Sequence, residues 1–164
     1  MGEYEHVSHT FAPVYDQESR ILILGTFPSV KSRQNDFYYG HPQNRFWRLL
    51  AELAHSGLPG TIHEKKTMLL ENKIAVWDVI ASCDIIGSSD SSIRNVVPND
   101  IAGLLRMTGI HTIYANGSTA AKLYERYVKK ETGREIITLP STSPANAAYQ
   151  MERLKERWKV ILTE

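Results

Sequence analysis

Three stretches of the chain gather side chains able to act on a flat, polar ligand. The densest is Tyr38-Tyr39-Gly40-His41-Pro42-Gln43-Asn44-Arg45-Phe46-Trp47. Aromatic rings offer faces for stacking, and an amide offers both a donor and an acceptor to the edge of a heterocycle or to a bound water. The same residues also read as a helix start, with Phe46 and Trp47 in the core. The second stretch, Leu139-Pro140-Ser141-Thr142-Ser143-Pro144-Ala145-Asn146, joins two prolines to three hydroxyls. Such a turn suits a phosphate, because the first N–H groups of a helix lack intrahelical partners and attract anions. It equally suits a plain helix entry, with Ser143 as cap and Pro144 in the first turn. The third, Gly25-Thr26-Phe27-Pro28-Ser29, reads as a rigid turn bent at Gly25 and fixed by Pro28. It has neither the glycine set of a dinucleotide fingerprint nor the Gly-Lys-Ser/Thr of a P-loop, which weighs against a nucleotide cofactor.

Several chemistries drop out. The single cysteine, Cys83, cannot furnish a disulfide framework, a thiolate zinc cluster or a Cys-ligated iron–sulfur centre. It reads as a small core residue. His6 and His9 form an isolated pair and the other histidines are scattered, so no metal site is expected. No Gly-x-Ser-x-Gly elbow supports Ser/His/Asp hydrolysis. Lys and Arg number 19 against 18 Asp and Glu, so a surface for nucleic acid must be local. Basic residues do gather, as Lys31, Arg33, Arg45 and Arg48 and again as Arg153, Lys155, Arg157 and Lys159, although solvated helix faces explain most of them.

The elements that must position these groups follow from periodicity. Residues 20–24, 74–80, 111–115 and 135–139 are short apolar or β-branched runs that read as buried strands. Helical patterns separate them. Pro42 suits a first helical position ahead of Phe46, Leu49, Leu50 and Leu53. Thr61 and Glu64 form a capping box, Asn99 can cap residues 101–105, and Ser118 can cap residues 120–130, which close at Gly133. A final amphipathic helix spans about 145–158. Strands interleaved with helices predict a three-layer α/β/α sandwich around a four-stranded parallel sheet. With 164 residues, 42% hydrophobic, the chain reads as one domain that buries roughly 68–70% of its unfolded surface. Residues 1–19 read as an irregular arm, while 25–43 and 82–98 escape the pattern at the carboxyl ends of strands, where open α/β sheets bind ligands. No apolar run of about 18 residues and no signal-peptide pattern are present, which predicts an intracellular, cytoplasmic protein.

Taken together, these motifs, with Trp77-Asp78-Val79-Ile80, Asp90-Ser91-Ser92-Ile93, Pro98-Asn99-Asp100 and Asn116-Gly117 in the same order, resemble the uracil-DNA glycosylase superfamily and, within it, the hypoxanthine-DNA (deoxyinosine) glycosylases. The resemblance spans roughly residues 21–161. It implies hydrolysis of the bond between a deaminated base and deoxyribose, in double-stranded DNA, by a monomer without metal or organic cofactor. It makes the turn after the first strand one superfamily motif and the Pro/Ser-rich turn after the fourth strand the other. The first motif lacks the Asp or Asn of many relatives and the second lacks their His; Asn44 is similar to the asparagine that supplies catalysis from the Tyr-Tyr-Gly-His-Pro-x-Asn segment instead. By the same resemblance Phe27, Pro28 and Ser29 wall the base pocket, Tyr39 stacks on the base, Asn116 contacts its edge, Ser141 and Ser143 hold phosphates, and Asn146 fills the vacated stack. Two alternatives stand beside this reading: a mismatch-type uracil-DNA glycosylase, and a non-catalytic nucleotide or nucleic-acid binding module.

Overall fold

The computed structural model describes residues 3–8, 11–34 and 37–162; His9 and Gly2 lie outside them. Four parallel strands form the centre: β2 (Ile21–Gly25), β3 (Ile74–Asp78), β6 (Thr112–Asn116) and β7 (Ile137–Leu139), in the order β3-β2-β6-β7. Every residue of β2 is buried, as its uninterrupted apolar run requires of a strand covered on both faces. Alternation sends Ile21 and Ile23 to one face and Leu22 and Leu24 to the other. The first pair packs with α2 (Phe46–Leu53), α3 (Ile62–Glu71) and α7 (Met151–Trp158) through Phe46, Leu69, Leu154 and Trp158. The second packs with α4 (Ile101–Met107) and α5 (Ser118–Tyr127) through Leu104 and Tyr124. The three-layer sandwich with its four-stranded parallel sheet is therefore observed. Among the described residues no helix is long and apolar enough to cross a membrane.

The expected strand 74–80 is two strands. β3 ends at Asp78, and β4 (Ile80–Ile85) leaves for a second, antiparallel sheet of order β1-β4-β5, with β1 (Glu5–Ser8) and β5 (Arg94–Pro98). The break is held open because Val79 N–H donates to the Gly25 carbonyl (2.8 Å) and the Asn99 amide donates to both Asp78 O (2.9 Å) and Ile80 O (3.2 Å). Within 82–98, residues 82–85 and 94–98 are thus paired strand, and only 86–93 between them is irregular or a short helical turn. Two parts of the arm are regular. Glu5–Ser8 pairs with β4, and Val14 bridges Val76 through two backbone hydrogen bonds of 2.9 and 3.0 Å.

Helix boundaries move for local reasons. The helix predicted from Pro42 begins at Phe46, because Asn44 N–H closes a turn on His41 O (2.9 Å). Asp100, not Asn99, caps α4 by accepting from Gly103 N–H (3.0 Å). Ser118 is not a cap; Gly117, at φ 98°, precedes α5, and Val128 divides the predicted helix into α5 and α6 (Lys129–Thr132), the latter ending on left-handed Gly133 as expected. Thr61 and Glu64 form the predicted capping box in both directions.

Candidate active site

The carboxyl ends of β2, β3 and β6 open into a cavity of about 560 Å³, within the range of about 300–1,000 Å³ usual for small-molecule sites. Phe27, Pro28, Ser29, Tyr39, Asn44 and Asn116 all line it, so residues far apart in the chain converge there. The wall is built locally. Ser29 Oγ accepts from Ser32 N–H (3.1 Å) at the start of α1 (Val30–Gln34) and donates to Ser32 Oγ (3.2 Å), so its O–H is occupied within the wall while an acceptor lone pair remains. Ser32, buried beneath, accepts from Gly40 N–H (2.8 Å) and ties this turn to the aromatic segment. The Arg33 guanidinium lies over the Phe27 ring (5.6 Å).

Gly25 does not serve the bend through its own backbone, as the sequence suggested; it is a regular strand residue. It is required for room. A Cβ there would lie 2.8 Å from the Tyr39 hydroxyl and nearer still to Asp78 Oδ1. Asp78 is only 3% exposed and pairs with Gly25 across the parallel register. Tyr39 adopts a left-handed φ of 53°, and one face of its ring is taken by Phe46 at a centroid distance of 4.1 Å. Burial, then the charge of Asp78, raises the Tyr39 phenol well above its ordinary range, with Asn116 opposing in part. Asp90, at the cavity edge, is raised by desolvation and then by Asp78.

Thr142 joins the two candidate asparagines. Its N–H donates to Asn116 Oδ1 (3.0 Å), its hydroxyl accepts from Asn116 Nδ2 (3.0 Å), and that hydroxyl donates to Asn44 Oδ1 (2.8 Å). Asn44 Oδ1 also accepts from Phe46 N–H (2.9 Å). Its oxygen is therefore occupied twice at the start of α2. Among the described residues none accepts from the Asn44 amide NH₂, which is the part of the side chain left to a ligand.

Arg45, one of the basic residues that gather near the site, is an internal clamp. Its guanidinium donates to the carbonyls of Thr142 (3.3 Å), Ser143 (2.8 Å), Asn146 (3.1 Å) and Tyr149. These carbonyls are thereby held in a loop, and the predicted helix 145–158 starts only at Met151. Neither Ser143 nor Pro144 opens a helix. Ser141 Oγ accepts from Ser143 N–H (3.1 Å) and Ser143 Oγ from Ala145 N–H (3.1 Å), which leaves both O–H groups to donate outward. Asn146 folds its amide back onto Ser141 O (3.0 Å). Ser141 and Ser143 line both the first cavity and a neighbouring one of about 530 Å³, which Asn146 and Arg157 also line. The sequence reading missed Asp78, Thr142 and Arg45. The signal for Asp78 was an acid ending an otherwise apolar strand; nothing local announced the other two.

The sequence profile of the Uracil DNA glycosylase superfamily matches residues 12–162. Two proteins named hypoxanthine DNA glycosylase are similar over most of the chain. The one from Methanosarcina acetivorans is 36% identical over 157 residues, covering 94% of this chain and 98% of its own, and the one from Methanosarcina barkeri is 34% identical, covering 90% and 93%. A solution NMR structure of a candidate uracil DNA glycosylase from Methanosarcina acetivorans superposes with a TM-score of 0.80 at 34% identity, covering 94% of this chain and 96% of that one.

Proposed function

Because the chain belongs to the uracil DNA glycosylase superfamily, we propose that it is a DNA repair glycosylase that removes deaminated bases, hypoxanthine foremost, from double-stranded DNA. The observation that carries the reading is the tie through Thr142, which joins Asn44 and Asn116 where the two turns meet at one cavity. A pure binding module would not need this convergence.

To reach the cavity the base must leave the stack, at a cost of a few kcal/mol that is least for a mispaired base. Deamination products are mispaired, so the cost itself favours them. Phe27, Pro28 and Ser29 wall the flipped base, Tyr39 presents its remaining face, and Asn116 contacts the base edge. Glycosidic cleavage passes through an oxocarbenium-like sugar. The reaction therefore needs an oriented water and donors toward the departing base more than a strong nucleophile. Asn44 holds that water through its NH₂, which leaves a lone pair of the water toward the sugar. Ser141 and Ser143 donate to DNA phosphates, and Asn146 swings from Ser141 O into the vacated stack. The enzyme acts as a monomer associated with DNA in the cytoplasm.

Duplexes bearing hypoxanthine, uracil, xanthine or a thymine mismatch, scored by alkaline scission at abasic sites, test the reading. Hypoxanthine release is expected to be fastest; uracil release outrunning it supports the mismatch-type alternative, and no abasic product from any duplex removes the enzyme reading. Lys31 lies at the cavity lip, so borohydride is added to the same reactions. Water as nucleophile predicts no trapped protein–DNA adduct.

A further inference from the structure

The proposed reaction leaves one proton without a destination. Asn44 holds the attacking water by donating to it, so the water's own O–H groups need an acceptor elsewhere, and one of their protons must leave once the oxygen bonds to the sugar. Most acceptors in the cavity are occupied or too weak. Asn44 Oδ1 takes two donors and Asn116 Oδ1 takes Thr142 N–H. His41 Nδ1 accepts from Gln43 N–H (3.1 Å), which places the proton of the neutral ring on Nε2. Asp78 is buried and already engaged. Serine hydroxyls are too weakly basic to keep a proton.

Asp90 differs from all of these. It is exposed, and among the described residues no hydrogen bond or ion pair engages its carboxyl. It stands on a short helical turn, Asp90–Ser92, in the loop between β4 and β5. Ser92 Oγ accepts from Ile86 N–H (2.9 Å) and donates to Ser89 O (2.7 Å), and Val30 N–H donates to Ser88 Oγ (2.8 Å), so the loop is fastened both to itself and to α1 in the cavity wall. Among the described residues, Asp90 is the one ionisable group that lines both cavities. Desolvation and then the charge of Asp78 make its carboxyl a better proton acceptor than an ordinary one.

We propose that Asp90 is the general base of the reaction, its carboxylate receiving the proton of the water that attacks the sugar. This rests on the glycosylase reading above. With the base in the first cavity and the phosphates on Ser141 and Ser143, which line both cavities, the sugar lies at the passage between them, where Asp90 stands. The bond between C1′ and the base breaks with its electron pair leaving on the base, and the water oxygen bonds to C1′. One water proton passes to Asp90 and from there, through solvent, to the departed base. The same negative charge faces the sugar as it turns cationic. A carboxylate at this passage opposes the phosphates that must come near it, so a neutral residue there would favour binding. The acid therefore costs affinity and contributes rate, a signature that a packing residue does not share.

The test compares the parent protein with Asp90→Asn and Asp90→Ser on a duplex bearing hypoxanthine. Single-turnover cleavage, binding of the 2′-fluorinated, uncleavable duplex and thermal melts are measured on the same preparations. Each variant should lose about 10²-fold or more in rate, the lower end of what a positioned base contributes, while binding the uncleavable duplex at least as tightly as the parent and melting at the same temperature. A rate within about threefold of the parent's in either variant would overturn the proposal. So would a loss of rate matched by an equal loss of binding, which would make Asp90 a structural part of its loop. A parent that releases no deaminated base brings down the glycosylase reading and the proposal with it, an outcome distinct from an active parent whose variants are equally active.

Discussion

Asn44 carries two roles that a single alanine substitution would confuse. Its oxygen accepts from Phe46 N–H and from the Thr142 hydroxyl, a structural task, whereas its NH₂ is the group proposed to hold water. Asn44→Ala should cost about 0.5–2 kcal/mol of stability, as loss of a helix-start cap does, and about 10²–10³ in single-turnover rate, as loss of one preorganised donor does. Asn44→Asp separates the two. A carboxylate oxygen can still accept both hydrogen bonds, so the melting temperature should return close to that of the parent. The rate should stay as low as in the alanine variant because the donor is gone. Recovery of the rate in Asn44→Asp would mean that the site needs an acceptor at this position, and the water would then have to be held the other way round.

At the scale of elements, Arg45 decides the shape of the loop after β7. Four carbonyls on one guanidinium keep residues 142–149 out of a helix and hold Ser141, Ser143 and Asn146 along the cavity rim. The fork geometry is what allows one side chain to serve that many acceptors. Arg45→Lys should therefore fail to rescue. Both Arg45→Met and Arg45→Lys are expected to lower stability by at least about 1.5–3 kcal/mol, the worth of a charged hydrogen bond, and to weaken duplex binding in proportion to the disorder of the loop seen by amide exchange. The second sheet carries a pH-dependent pin. Hydrogen bonds from Asn95 and then from His6 hold the Asp84 carboxyl below its ordinary range. A depressed carboxyl stabilises above its unfolded value and loses that contribution as pH falls through its folded value. Protection factors of the β1 amides, taken relative to intrinsic exchange at each pH, should accordingly fall below the ordinary carboxylate range while those of β2 hold; β1 protection factors that are flat with pH would show that backbone pairing alone holds the arm.

Over the whole molecule, a formal charge of +1 cannot steer DNA by itself, so affinity must arise from where the charges lie. Asp78, Asp90 and Lys31 line the first cavity, and Arg157 lines the neighbouring one beside Ser141, Ser143 and the same Asp90. Each phosphate neutralised releases counterions, and log affinity should fall with log salt at a slope of about −1.8 or steeper if two or more phosphates are engaged. A flat dependence would favour a free nucleoside over DNA as the ligand. Arg157→Gln should reduce the slope by about one contact's share, roughly 0.9, without altering the order of preference among deaminated bases.

Much of this molecule is legible from its sequence because the relevant physics is local. The buried strands 21–24 and 112–115 announce themselves by uninterrupted apolar runs, the Thr61 and Glu64 cap by its spacing, and the cavity wall by motifs that lie contiguous in the chain. Only the tertiary structure decides what depends on groups distant in sequence. Val79 and Ile80 look like more of the same strand until Gly25, Thr26 and Asn99 claim their hydrogen bonds and turn the chain into a second sheet. Pro144 and Asn146 look like a helix entry until a guanidinium about a hundred residues earlier in the chain takes the carbonyls. Gly25 looks like a hinge until the side chains of Tyr39 and Asp78 are found in the space above it. In each case the local preference is worth only a fraction of a kcal/mol per residue, and a buried polar group that would otherwise lack a partner outweighs it.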